Sequence, residues 1–129
     1  MSFTVRWAKN LVEITLSGTV DLEEIRRYEG EVFGHPDFDL IRGVIWDGRD
    51  VTELSLAEDE NSVSAAYSKG SSISNANIRL GFVVANEDVR STAETYIEFS
   101  KKMGNPWAMQ IFSSRDDAMK WVDGNLSGK

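Results

Sequence analysis

The chain reads as a single α/β domain, a mostly parallel sheet of about five strands with an antiparallel strand at its N-terminal edge. Three observations carry that reading. An alternating hairpin opens the sequence, apolar strand-like runs follow at intervals that each hold one helix, and each helical stretch carries an apolar face. A length of 129 residues suits one domain over residues 1–129. Such a chain buries about two-thirds of its unfolded surface and needs no covalent staples.

The elements follow in order. Phe3, Val5 and Trp7 alternate with Thr4 and Arg6; after Ala8-Lys9-Asn10 the alternation resumes with Leu11, Val12, Ile14 and Leu16, and Ser17-Gly18 closes a β-hairpin. Asp21 stands as an N-cap ahead of an acidic first turn with Glu24. Leu22, Ile25, Tyr28, Val32 and Phe33 then share one helical face, and Gly34-His35-Pro36 stops the helix.

Leu40-Ile41 with Val44-Ile45-Trp46 is a β-branched, apolar run that suits a strand buried on both faces, ending at Asp47-Gly48-Arg49-Asp50. Ser55-Leu56-Ala57-Glu58 has capping-box spacing, so a second helix is expected from Ser55 to about Lys69, with Leu56, Val63, Ala66 and Tyr67 inward. The stretch 70–77 is Ser/Asn/Gly-rich and reads as a loop. Ile78 to Ala85 is the clearest strand. A third helix over Glu87 to Lys102 turns Val89, Ala93, Tyr96, Ile97 and Met103 inward and stops at Gly104. Trp107 to Phe112 is the last strand, with Trp107 partly exposed at its entry. Ser114, Asp116 and Asp117 open a last helix bearing Ala118, Met119, Trp121 and Val122. The order is ββαβαβαβα.

Composition narrows the function classes. Fourteen Lys+Arg against twenty-one Asp+Glu give a net charge of −7. This works against binding nucleic acid, which rests on neutralising phosphates, and against docking on an anionic membrane. The absence of cysteine excludes disulfides, thiolate metal sites and a Cys nucleophile, and is compatible with the cytoplasm. The start from Met1 to Trp7 has no basic region followed by an apolar core, so no secretory leader is expected. Apolar runs such as Phe82 to Ala85 are too short to span a bilayer.

In order and spacing the chain resembles the SpoIIAA-like group, relatives of the STAS domain and of the Sec14 lipid-binding fold. The residues that carry the resemblance are three stretches: Val5 to Trp7 with Leu11 to Gly18 ahead of an acidic helix start, Val44 to Val51, and Phe112 with Ser114 to Trp121. The resemblance implies four parallel strands in sequential order with an added antiparallel edge. Relatives of the STAS domain act as anti-anti-sigma factors or as regulatory modules, so the resemblance implies a regulatory role. Some relatives are phosphorylated on a Ser opening the second helix, in an Asp-Ser-Ser-Gly-like motif. Here the matching stretch is Glu53 to Glu58, which lacks the Ser-Gly pattern and places the family's serine near Leu56 or Ala57.

Candidate residues each have a plainer reading beside the functional one. Ser55 could accept a phosphate at a helix N-terminus, or simply cap the helix. Asp47, Arg49 and Asp50, with Glu87 and Asp88, should lie at the carboxyl ends of adjacent parallel strands, where open α/β sheets bind ligands. Turn formation, ion pairing and an acidic first turn explain the same residues. Tyr67 and Tyr96 could line an apolar pocket between sheet and helices, or merely cover the sheet. His35, the only histidine, sits in a helix-stop turn, so no His/Cys zinc site or His-based triad is expected. No catalytic constellation, cofactor fingerprint or metal spacing stands out. The expectation is a non-enzymatic module acting through a protein partner, of which a second copy of the chain is one form. The alternatives are a carrier of an apolar small molecule or lipid, and an enzyme using the acidic strand ends.

Overall fold

A computed structural model describes residues 3–126. Met1 and Ser2, with which the expectation of a leader-free start begins, lie outside the described residues. The sheet has the order β1-β2-β3-β4-β5. Its strands are β1 (Phe3–Ala8), β2 (Leu11–Asp21), β3 (Gly43–Ser55), β4 (Arg79–Val84) and β5 (Ala108–Phe112). β1 pairs antiparallel with β2, and all other pairs are parallel. The helices are α1 (Leu22–Phe33), α2 (Glu58–Ser71), α3 (Glu87–Lys102) and α4 (Arg115–Leu126). The expected ββαβαβαβα order and antiparallel edge are therefore present.

Several boundaries differ from the sequence reading. Ser17-Gly18 does not end β2, and Asp47-Gly48-Arg49-Asp50 does not end β3. The two strands stay paired out to Asp21 opposite Ser55, past register shifts between Thr15 and Ser17 and between Gly18 and Thr19. Gly18 lies at φ 70°, a left-handed conformation that glycine adopts without a Cβ clash. The segment Leu40-Ile41 is not strand. Leu40 ends a short 3-10 turn over Phe38–Leu40, and Ile41 is buried just beyond it.

The largest correction concerns α2. Its N-cap is Ala57, not Ser55, which is the exposed last residue of β3. Glu60 Oε1 accepts the Ala57 backbone N–H at 2.9 Å, so the capping geometry sits two residues later than the Ser55 spacing suggested. The inward face is Asn61, Ser64, Ala65 and Ser68; Val63 and Tyr67 are 47% and 45% exposed. Hydrophobicity predicts the apolar positions inward, but the packing puts the polar stripe inside.

The remaining helices follow their patterns. Asp21 accepts the Glu24 N–H at 3.0 Å, and Asn86 accepts that of Val89 at 2.9 Å, so both α1 and α3 are capped by side chains. Residues along a strand alternate between the two sheet faces. On one face, Val12, Ile14, Val44, Trp46, Leu80 and Phe82 form the main core with Ile25, Tyr28 and Val32 of α1 and Val89 and Ala93 of α3. α2 packs chiefly on α3 and α1, standing off from the sheet. On the other face, Ile45 and Val83 meet Ala118 and Val122 of α4. Gly81 lies under this helix, where a Cβ would find Ala118, Ile45 and Phe112 at 3.5–3.6 Å.

One aromatic expectation changes. Trp107 is buried rather than partly exposed, and its indole N–H donates to the Asn75 carbonyl at 2.7 Å. Trp7 is only half-buried and stacks on His35 with ring centroids 3.9 Å apart. Among the described residues no helix is long and apolar enough to cross a membrane.

Candidate functional site

The residues singled out at the strand ends do not converge. The side chain of Asp47 shares the α4 side of the sheet with Ile45, two residues earlier on β3. It pairs with Arg49 through bonds of 2.9 and 2.7 Å. Burial pushes the Asp47 carboxyl up, but hydrogen bonds from the Arg49 side chain and backbone, and its charge, hold it below the usual range. Asp50, Glu87 and Asp88 are exposed, the last two in the first turn of α3. Among the described residues no group of three or more His, Asp or Glu side chains is placed to hold a metal ion.

The charge centre on this face is instead Glu13 of β2. Its carboxylate receives the Arg115 guanidinium at 2.6 and 2.8 Å and Arg6 at 3.0 Å. The Arg115 hydrogen bond outweighs the opposing effect of burial, so the Glu13 carboxyl is held below its ordinary value. This buried charge is fully paired. It ties α4 to the sheet and leaves no reactive group free.

The opposite face holds a cavity of about 70 Å³ between the sheet and helices α1, α2 and α3. Ile14, Val44, Trp46, Leu80 and Phe82 form its apolar floor. Aromatic rings make a connected wall. Tyr28 OH accepts the Trp46 indole N–H at 2.9 Å; Trp46 meets Phe82 with centroids at 5.6 Å, and Phe82 meets Tyr96 at 5.7 Å. Leu54, Leu56 and Thr92 are part-exposed members of the lining.

The roof is polar. Glu29 of α1 is 4% exposed and Asn61 of α2 is 3% exposed. Ser64 Oγ donates to Glu29 Oε2 at 2.9 Å, and Asn61 Nδ2 donates to the Thr92 carbonyl at 3.1 Å. Ser68 and Tyr96 share a hydroxyl–hydroxyl bond of 2.5 Å. Glu29 Oε1 and Asn61 Oδ1, both on residues lining the cavity, have no hydrogen-bond partner. Burial raises the Glu29 carboxyl to about 7, against the opposing pull of the Ser64 hydrogen bond and the Arg26 charge. Burial likewise pushes the Tyr28 and Tyr96 hydroxyls up, with the Glu29 charge adding to both.

Of the residues considered for a ligand, then, only Tyr96 lines the cavity. Tyr67 lies on the outer surface of α2, where it packs edge-on against Phe33. Asp47 and Arg49 belong to the other face of the sheet. Glu29, Asn61 and Ser64 were missed. A signal was present, because Asn61, Ser64 and Ser68 fall at helical spacing and Glu29 adjoins Tyr28 on the inward face of α1.

No known family's sequence profile matches this chain, and no curated protein is similar to it in sequence. Solved structures are similar in fold. The anti-sigma factor antagonist SpoIIAA in its unphosphorylated form superposes with a TM-score of 0.61 at 14% identity, covering 95% of this chain and 98% of that one. An anti-sigma factor antagonist from Mycobacterium paratuberculosis gives 0.61 at 16% identity, covering 94% and 92%. An uncharacterised Shewanella loihica protein with a SpoIIAA-like fold gives 0.52 at 11% identity, covering 93% and 91%. The chain therefore has a SpoIIAA-like fold, as the resemblance of its opening, central and closing stretches implied.

Proposed function

We propose, starting from a SpoIIAA-like fold that spans the described chain, that this protein is a non-enzymatic regulatory module acting through a protein partner. The observation that carries the reading is the inverted face of α2. Its small polar residues Ser64 and Ser68 point inward while Val63 and Tyr67 point to solvent one turn apart. Leu40 and Ile73 add exposed apolar surface at 61% and 83%. A hydrogen bond from Ser74 to Asp39 brings their two segments together. Exposed apolar groups of this kind mark interaction surfaces. The fold is shared with anti-sigma factor antagonists, proteins named for a protein-directed role, and this supports the same class of function here.

A non-enzymatic role is supported by the pairing of the carboxylates on the α4 side of the sheet; Glu29, in the cavity on the other side, is the exception, with Oε1 unpartnered. The Glu13 and Asp47 carboxylates are paired with arginines. His35 stacks on Trp7 and accepts the Asp37 N–H, with no nucleophile arranged beside it among the described hydrogen bonds. We place the module in the cytoplasm, in keeping with a chain that has no cysteine. A lipid carrier finds less support, because about 70 Å³ is small beside the roughly 300–1,000 Å³ of drug-sized sites.

The test is a photo-crosslinking amino acid placed at Val63, with Lys120 on α4 as control, in the source cells. The expected result is one dominant heterologous adduct at position 63, displaced by excess unmodified protein but not by a Val63→Glu variant. Identical adducts from both positions would overturn the reading. An adduct to a second copy of the chain alone would replace it with self-association.

A further inference from the structure

We propose that the cavity beneath α2 is a binding site for a small primary alkylammonium ion, its head held by Glu29 Oε1 and Asn61 Oδ1 and its alkyl body against Trp46 and Phe82. This goes beyond the partner-binding reading and does not depend on it. Both roof atoms are acceptors on side chains more than nine-tenths buried, and neither has a partner. With Glu29 ionised, which burial delays to above about pH 7, a ligand satisfying both atoms must bring hydrogen-bond donors. An ammonium brings three N–H groups and a charge opposite to that of the carboxylate.

The rest of the lining fits the same chemistry. Buried polar atoms normally find partners, so two orphaned acceptors over one cavity are a specific feature. The wall of Trp46, Phe82 and Tyr96 presents aromatic rings to the same space, and ring faces attract cations. An anion would be repelled by the Glu29 carboxylate, although the Tyr28, Ser68 and Tyr96 hydroxyls also line the space. The size limits the body to about three carbons, since a dry cavity near 150 Å³ is what admits benzene.

The experiment follows the Trp46 indole N–H resonance at pH 8, where Glu29 is ionised, while propylammonium, propanol or propionate is added to the full chain. The expected result is a saturable shift with propylammonium and none with the other two at the same concentration. Glu29→Gln keeps the shape and an acceptor for Ser64 but removes the charge, and it should weaken propylammonium binding at least about tenfold. If that variant fails to fold, Asn61→Leu removes the second acceptor and should weaken binding as well. No saturable shift with propylammonium would overturn the proposal. So would an equal response to propanol, or unchanged affinity in the variant that folds.

Discussion

Ser64 Oγ donates a 2.9 Å hydrogen bond to Oε2 of Glu29, joining α2 to α1 inside the cavity while Oε1 keeps no partner. The consequence is a pH dependence of unusual sign. Burial raises the Glu29 carboxyl from 4.5 to about 7. Between those values the folded protein holds a proton that the unfolded chain has released, so the Glu29 contribution is full below about 4.5 and is lost as pH rises through about 7. The rise corresponds to roughly 3 kcal/mol. Urea denaturation of wild type and Glu29→Gln at pH 5 and pH 8 should show the variant gaining on wild type at the higher pH. Equal differences at both would refute the assignment.

Glu13 predicts the opposite trend. Its carboxyl is held below the ordinary value by Arg115, so its stabilisation is present above the unfolded-state value and disappears as the solution is acidified below it. Arg115→Ala leaves a carboxylate whose side chain is 8% exposed with only Arg6 as partner. The expected loss at pH 7 is about 2–3 kcal/mol, below the range for a fully orphaned buried charge because Arg6 stays. Arg6→Ala removes a partner that is 76% exposed and should cost less than about 1 kcal/mol. Chemical denaturation of the two variants side by side checks the ranking.

Gly48 and Gly81 should respond differently to the same substitution. A Cβ on Gly48 would clash with the Trp46 ring, so Gly48→Ala must displace an aromatic that floors the cavity. A loss of about 1–3 kcal/mol is expected, together with a shift in tryptophan emission. A Cβ on Gly81 would meet its neighbours at ordinary contact distance, and Gly81→Ala should stay within about 1 kcal/mol of wild type. Thermal melts followed by fluorescence read both effects.

Val63 should matter to binding and not to folding. It is 47% exposed on the outer face of α2, so Val63→Ser should change stability by less than about 0.5 kcal/mol. An excess of the same variant should fail to displace the partner crosslinked from position 63. A large loss of stability would mean that Val63 is buried in solution, against the inverted face of α2.

The sequence by itself determined the element order, the antiparallel edge, the caps at Asp21 and the limits of α3. Each rests on short-range rules: period-two alternation in the hairpin, helical spacing of Ile25, Tyr28 and Val32, and side-chain oxygens beside free N–H groups. The resemblance to SpoIIAA-like chains was also legible, because it lay in the order of these local signals. What α2 buries was decided only in three dimensions. By hydrophobicity alone Val63 and Tyr67 belong inside, but α2 stands on α1 and α3 rather than flat on the sheet, and the surface it meets there contains Glu29. A buried carboxylate needs hydrogen-bond donors, so Ser64 faces in and the apolar residues face out. The cavity arises from the same contact between helices 35 residues apart in the chain, a separation that no local pattern reports. The two sheet faces likewise separate two residues considered for a ligand: Asp47 shares the α4 side with Ile45, whereas Tyr96 of α3 lines the cavity on the other.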